Sequence, residues 1–193
     1  MLANNNNAVI GDVILAPGRA DGGKSPQDQC GKLFKYIPID TTNQSVNEID
    51  AALSTIFPNE VVQGNFVNGI PGLPANSYVK SNIAAVIPGD NVHKLGRTTK
   101  GTSGVVQATN VHIPIGIKIN GRRLSIPFAD QISISSRTGR FSAGGDSGSA
   151  ILNDQAEVVA LLFAGSKFGG AYQTGTTFAN PINKVFAALN ISL

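Results

Sequence analysis

The chain has 193 residues, a formal net charge of +3 at pH 7 and one cysteine, Cys30. A single cysteine excludes an intramolecular disulfide and a cysteine-rich metal site, so packing alone must stabilise the fold. The lysines and arginines are scattered, and no apolar run approaches the roughly 20 residues that span a bilayer, so we expect no nucleic-acid and no membrane partner. Abundant glycine and apolar residues that are mostly Val, Ile, Ala and Leu, many of them β-branched, are typical of β-rich proteins.

The first half of the chain has the pattern of short strands separated by turns. Residues 8–15 and 32–39 carry the apolar or alternating pattern of paired extended segments. In residues 46–56 an aspartate, Asp50, stands directly before an apolar strand. Residues 57–82 are rich in glycine and proline with little periodicity, which favours a connection between two halves.

The second half contains the strongest hairpin signal. Residues 115–119 and 122–126 alternate in polarity and flank Asn120-Gly121, the dipeptide that two-residue β-turns prefer. We therefore predict that these two segments pair as antiparallel strands.

The last forty residues predict a strand and a helix. Residues 158–163 form an unbroken apolar run, which indicates a buried strand. Residues 180–189 predict a helix, with Asn180 as its N-cap and Pro181 in its first turn. Many short strands and one terminal helix favour a β-barrel or a sandwich.

A serine flanked by glycines stands at residues 144–149, with the sequence Gly-Gly-Asp-Ser-Gly-Ser. Glycine reaches backbone conformations that other residues avoid, so Ser147 can sit on a tight turn with an exposed hydroxyl and converging amides. A nucleophile and its oxyanion hole need that arrangement. The same residues also suit an ordinary turn between strands. An α/β-hydrolase elbow is excluded, because Ser149 stands where its last glycine is needed.

Asp50 has two interpretations. An aspartate just before an apolar strand can be carried partly inside, where it would orient a histidine ring nitrogen. The alternative is an acidic residue that ends a loop at the protein surface, and the residue by itself does not decide between them.

Three motifs follow one another along the chain: Asp50-Ala51-Ala52-Leu53, Lys94-Leu95-Gly96-Arg97-Thr98-Thr99 with Gly101 and Gly104, and Gly145-Asp146-Ser147-Gly148-Ser149. In this order they resemble the chymotrypsin/trypsin-like serine peptidases, in particular the disulfide-free bacterial-type members. The resemblance implies an all-β fold of two six-stranded antiparallel β-barrels, the first incomplete, with a C-terminal helix. Residues 1–82 would hold the first barrel and a connecting segment, and residues 83–193 the second barrel and the helix.

The resemblance also implies a role for individual residues. Ser147 would be the nucleophile of an acyl-enzyme that hydrolyses peptide bonds, and Asp50 would be the orienting acid. The amides of Gly145 and Ser147 would form the oxyanion hole. The substrate would be a polypeptide, and no metal or organic cofactor is expected. The strand that borders the substrate and the primary specificity pocket would comprise Phe163, Ala164 and Gly165.

This chain departs from the family's pattern at the catalytic histidine. In such peptidases it precedes the aspartate, whereas here the only histidines, His93 and His112, both follow Asp50. We interpret both as strand or loop histidines. Residues 1–4 resemble those that directly follow the histidine in relatives, so we expect the sequence to start just downstream of it, without the N-terminal strand or strands of the first barrel.

The missing histidine has consequences for function. Loss of one triad member removes most of the rate, so we expect little or no activity from this chain alone. The alternative function is a non-catalytic binding or scaffold module with the trypsin-like fold. An incomplete barrel exposes unpaired backbone at an edge, which favours a homo-oligomer.

Two further points concern the surroundings of Ser147, namely the partner of Asp146 and the preference for a substrate side chain. The carboxylate of Asp146 has Arg97, Arg140 or a hydroxyl as candidate partners, and nothing local decides among them. The small, uncharged side chains of Ala164 and Gly165 indicate no strong demand for a basic substrate side chain.

Overall fold

The computed structural model describes residues 7–60, 67–75 and 77–192. Within these ranges the secondary structure is β1 (Val13–Leu15), β2 (Gln29–Tyr36), β3 (Ala52–Ile56), β4 (Asn91–Gly96), β5 (Lys100–Ile119), β6 (Arg122–Ser135), β7 (Ala150–Leu152), β8 (Val158–Gly165), β9 (Thr177–Pro181) and α1 (Ile182–Leu189). Short 3-10 helices lie at Arg19–Asp21 and Pro58–Glu60. Among the described residues, no helix has the length and apolar character that crossing a lipid bilayer requires.

The strands form two antiparallel sheets. β1, β2 and β3 make a three-stranded sheet in that order, and the other six strands close into a barrel in the order β4-β5-β6-β9-β8-β7. The predicted all-β fold with a six-stranded second barrel and a C-terminal helix is therefore confirmed. Over the described residues the first sheet has three strands and stays open, as an incomplete first barrel predicts.

The predicted hairpin is present and is the longest feature of the barrel. β5 and β6 pair from Val105 opposite Ser135 to Ile119 opposite Arg122. Both turn residues have positive φ, 47° at Asn120 and 80° at Gly121, as the tight hairpin turn requires. β4 pairs with β5 only over residues 100–105. The rest of the β5–β6 hairpin therefore continues beyond the end of β4.

The first predicted strand is shorter than its sequence pattern. The pattern covers residues 8–15, but only Val13–Leu15 pair as a strand. The Asp12 carboxylate accepts a hydrogen bond from the Val9 amide at 2.9 Å, and the Asp12 amide returns one to the Val9 carbonyl at 3.0 Å. Backbone bonds to Leu33 continue through Asp12 and Gly11, and the side-chain turn competes with strand pairing before them.

The prediction of Asn180 as a helix cap is wrong. α1 begins after Pro181, without a side-chain cap. The Asn180 side chain is fully buried, and its amide donates to Gln131 Oε1 at 2.7 Å. Its Oδ1 accepts from the Asp50 amide at 3.1 Å. Since these tertiary partners satisfy both ends of the side-chain amide, it is not available to the helix terminus.

The helix connects the barrel to the segment that carries Asp50. α1 buries Ile182, Val185 and Leu189 against two residues that flank Asp50, Ile49 and Ala51. Removal of this apolar surface from water stabilises the contact. The C-terminal helix therefore holds the Asp50 segment against the barrel.

Candidate active site

One cleft brings the two predicted catalytic residues together. It has a volume of about 750 Å³, and both Asp50 and Ser147 line it. Asp50 arrives on the segment that precedes β3, and Ser147 arrives on the loop before β7. The fold thus joins in one cleft two residues that lie in different halves of the chain.

The serine loop consists of two consecutive turns. The Asp146 amide donates to the Ala143 carbonyl at 3.1 Å, and the Ser149 amide donates to the Asp146 carbonyl at 3.0 Å. The third residue of each turn is a glycine with positive φ, 102° at Gly145 and 89° at Gly148. These conformations disfavour any residue with a Cβ atom, which explains why the loop needs both glycines.

Ser147 is the second residue of the second turn, and it is exposed. Ser147 Oγ donates to the Phe163 carbonyl at 3.3 Å. The amides of Gly145 and Ser147 donate to no other residue in the described part of the chain. Such amides are suited to stabilise negative charge that develops on a substrate carbonyl oxygen.

The partners of the Asp146 carboxylate are backbone amides and a hydroxyl. Its side chain is buried and accepts hydrogen bonds from the Thr98 amide at 2.7 Å, the Thr99 amide at 3.2 Å, the Thr99 hydroxyl at 2.7 Å and the Ala143 amide at 3.0 Å. Of the three candidate partners, the hydroxyl is correct. Arg97 instead pairs with Asp21. Burial by itself raises the pKa of Asp146, but the bonds from Thr99, Ala143 and Thr98 outweigh it, and the pKa lies below its ordinary value.

A buried lysine that the sequence reading missed lies beside this carboxylate. Lys94 is fully buried, with its Nζ 3.6 Å from Asp146 Oδ2 and 2.6 Å from the Thr99 hydroxyl. Burial lowers the pKa of Lys94, and the charge of Asp146 partly offsets that shift. The available signal was strand alternation, which places Lys94 on the same face as the buried Val92.

The backbone at Asp50 is held by buried amides. The Asp50 amide donates to Asn180 Oδ1 at 3.1 Å. Gln131, the partner of Asn180, donates to the Glu48 carbonyl at 2.7 Å. β6 and β9 of the barrel therefore fix the chain at Glu48 and at the Asp50 amide.

The three predicted substrate-contacting residues also line the cleft, and they end β8. On one edge Ala164 pairs with Phe178 and Gly165 pairs with Thr177 of β9. On the other edge, within the described ranges, pairing with β7 stops at Leu161. The open edge can accept an extended peptide by main-chain hydrogen bonds.

Neither histidine is among the described residues that line the cleft. His93 is buried in β4, with Nε2 2.7 Å from Asp154 Oδ1 and Nδ1 2.9 Å from Ser103 Oγ. His112 lies on β5 with 71% of its side chain exposed. Both are thus strand histidines, as interpreted from the sequence. Residues 1–4, whose pattern placed them after a histidine, lie outside the described residues.

Solved structures with this fold define the class of protein. A glutamic acid-specific serine protease shares 22% sequence identity with a TM-score of 0.61, over 90% of this chain and 76% of its own. Thermobifida fusca Protease A shares 19% identity with a TM-score of 0.57, over 84% of this chain and 73% of its own. Cellulomonas bogoriensis chymotrypsin shares 19% identity with a TM-score of 0.55, over 95% of this chain and 88% of its own. The fold is that of the chymotrypsin-like serine proteases.

The family follows from the sequence itself. Residues 63–190 match the family model of peptidase family S64, so the chain belongs to that family. The predicted identity as a trypsin/chymotrypsin-like serine peptidase is therefore confirmed. No curated protein sequence matches the chain.

Proposed function

We propose that this chain carries the nucleophile, the orienting acid and the substrate strand of a serine endopeptidase. Membership of peptidase family S64 supports peptide-bond hydrolysis. The observation that carries the assignment of residues is that Ser147 and Asp50 line one cleft. We also propose residues 1–82 and 83–193 as its two structural units, the first barrel with its connecting segment and the second barrel with the helix.

The proposed reaction has two stages. Ser147 Oγ loses its proton to a base and attacks the substrate carbonyl carbon, and the carbon–nitrogen bond then breaks as the leaving amine takes that proton. Water next attacks the resulting ester, which releases the acid and restores the hydroxyl. In both stages the amides of Gly145 and Ser147 stabilise the oxyanion, while the open edge at Phe163, Ala164 and Gly165 aligns the substrate backbone.

The base is the part that the described residues of this chain do not supply. The ring nitrogens of His93 already contact Ser103 and Asp154, and neither histidine lines the cleft. Without a base the hydroxyl is a weak nucleophile. We therefore propose that this chain alone has little or no peptidase activity.

A fluorophosphonate probe with added imidazole tests this proposal. Imidazole supplies the base in solution, so we expect faint labelling of the chain alone, stronger labelling with imidazole and none in Ser147→Ala. If the probe labels Ser147 neither with imidazole nor without it, the nucleophile assignment is wrong. Robust peptidase turnover without imidazole that is abolished by Ser147→Ala contradicts the proposed inactivity.

The positions of the two histidines also favour a second candidate, a binding module without catalysis. The open edge of β8 would still pair with an extended peptide. This function predicts that Ser147→Ala leaves peptide binding unchanged and that imidazole stimulates no turnover. The peptidase function predicts imidazole-dependent turnover that the same substitution abolishes.

A further inference from the structure

The wall of the cleft carries excess positive charge. Arg140 and Lys167 both line it, and Asp50 is the only acidic lining residue in the described part of the chain. Other cations have carboxylate partners, such as Lys184 with Glu48 and Asp130. Within the described ranges, neither Arg140 nor Lys167 has one, so their charges are available to a ligand.

Arg140 lies beside an aromatic ring rather than an acid. Its guanidinium carbon lies 6.0 Å from the centre of the Phe168 ring. A ring face attracts the cation without occupying its N–H groups as a carboxylate would. The guanidinium therefore keeps the planar set of donors that binds a carboxylate through two hydrogen bonds.

A serine hydroxyl at the cleft, paired with a buried threonine hydroxyl behind it, adds a further donor. Ser142 lines the cleft, and its Oγ lies 2.6 Å from Oγ1 of Thr177, a buried residue. One hydroxyl donates to the other, so one hydroxyl hydrogen of the pair has no acceptor among the described residues. A Cβ atom at Gly165 would lie 3.4 Å from Ser142 Oγ, so the glycine leaves space beside the hydroxyls.

We propose that this part of the cleft is a subsite for a carboxylate side chain. It would select polypeptides with aspartate or glutamate on the acyl side of the cleaved bond, where Arg140 and Lys167 supply charge and the hydroxyl pair supplies a hydrogen bond. This inference rests on the proposed function only in that the bound chain is a peptide substrate.

Peptide binding to the Ser147→Ala variant tests the subsite without any chemistry. The probes are fluorescein-labelled Ala-Ala-Pro-Glu amide and its glutamine isostere, followed by fluorescence anisotropy. We expect the glutamate peptide to bind at least about tenfold more tightly, as one charge-assisted contact implies. Arg140→Ala on that background should reduce the preference to about threefold or less, and added salt should weaken it.

Arg137→Ala is the matched control, since Arg137 packs on Tyr172 and does not line the cleft. It makes the same charge change and should leave the preference intact. Equal binding of the two peptides, no saturable binding of the glutamate peptide, or equal effects of both arginine substitutions overturns the subsite. Selective binding without imidazole-dependent labelling of Ser147 would refute the peptidase function and leave the subsite standing.

Discussion

At the scale of single residues, the charges beneath the serine loop are the most sensitive feature. Asp146 accepts four hydrogen bonds and faces the fully buried Lys94. Asp146→Ala would leave the ammonium group buried without its carboxylate, so we expect it to lower the free energy of unfolding by roughly 3–5 kcal/mol. Urea denaturation measures this loss.

The exposed pair between Arg97 and Asp21 provides the control. Asp21→Asn removes a carboxylate of the same type from a solvated pair, which should cost no more than about 1 kcal/mol. Similar losses in Asp146→Ala and Asp21→Asn would show that the buried pair does not stabilise the loop.

The same carboxylate predicts a dependence of stability on pH. The pKa of Asp146 in the folded chain is lowered, relative to about 3.9 for an unperturbed aspartate. Its contribution is complete above that ordinary pKa and is lost as the pH falls through the lower, folded value. The Thr99 hydroxyl is the strongest of the bonds that lower the pKa, so Thr99→Val should make the loss of stability in acid less steep.

Urea denaturation midpoints measured across the acidic range provide the test. Thr55→Val is the control, because the Thr55 hydroxyl donates to the Lys32 carbonyl of β2 and, among the described residues, to no residue of the serine loop. It should leave the pH profile unchanged. Identical acid profiles for the parent chain and Thr99→Val would contradict the assigned cause.

At the scale of elements, the terminal helix packs against the segment that carries Asp50 and leads into β3 of the first sheet. Leu189 is buried in the cluster that contains Ile49 and Ala51. Leu189→Ala should therefore cost roughly 2–5 kcal/mol in unfolding free energy, and we expect it also to reduce imidazole-dependent labelling of Ser147, because the Asp50 segment loses its support.

Asn183, which lies exposed on the same helix, gives the comparison. Asn183→Ala should change the free energy of unfolding by no more than about 0.5 kcal/mol and should leave labelling intact. If Leu189→Ala is as stable and as readily labelled as Asn183→Ala, the helix does not support the site.

Local chemistry predicted several elements because their causes lie within a few residues. The Asn120-Gly121 turn specifies its own hairpin, and the apolar run of β8 marks a buried strand. Asn180 misled the prediction because a residue suited to capping was taken by tertiary partners. The first strand was predicted too long because the hydrogen bonds of Asp12 are invisible to periodicity.

At the scale of the whole molecule, the site depends on contacts that no local pattern contains. The glycines around Ser147 mark that residue in the sequence, but the choice between a catalytic and a surface role for Asp50 depended on the order of three motifs. Lys94 belongs to the site because β4 and the serine loop are packed together, and its alternation signal did not name a partner. Residue types could be read locally, whereas their partners required the fold.

The open first sheet leads to a prediction about assembly. Among the described residues, β1 and β3 each pair only with β2, and the sheet exposes 58% of Phe34 and 59% of Ile56. Unpaired strand edges beside exposed apolar side chains favour association of copies, so we expect light scattering to show a dimer or larger species that grows with concentration. Ile56→Lys should shift it toward monomer, whereas Leu95→Lys, on the barrel, should not. A strictly monomeric profile at high concentration would exclude this association.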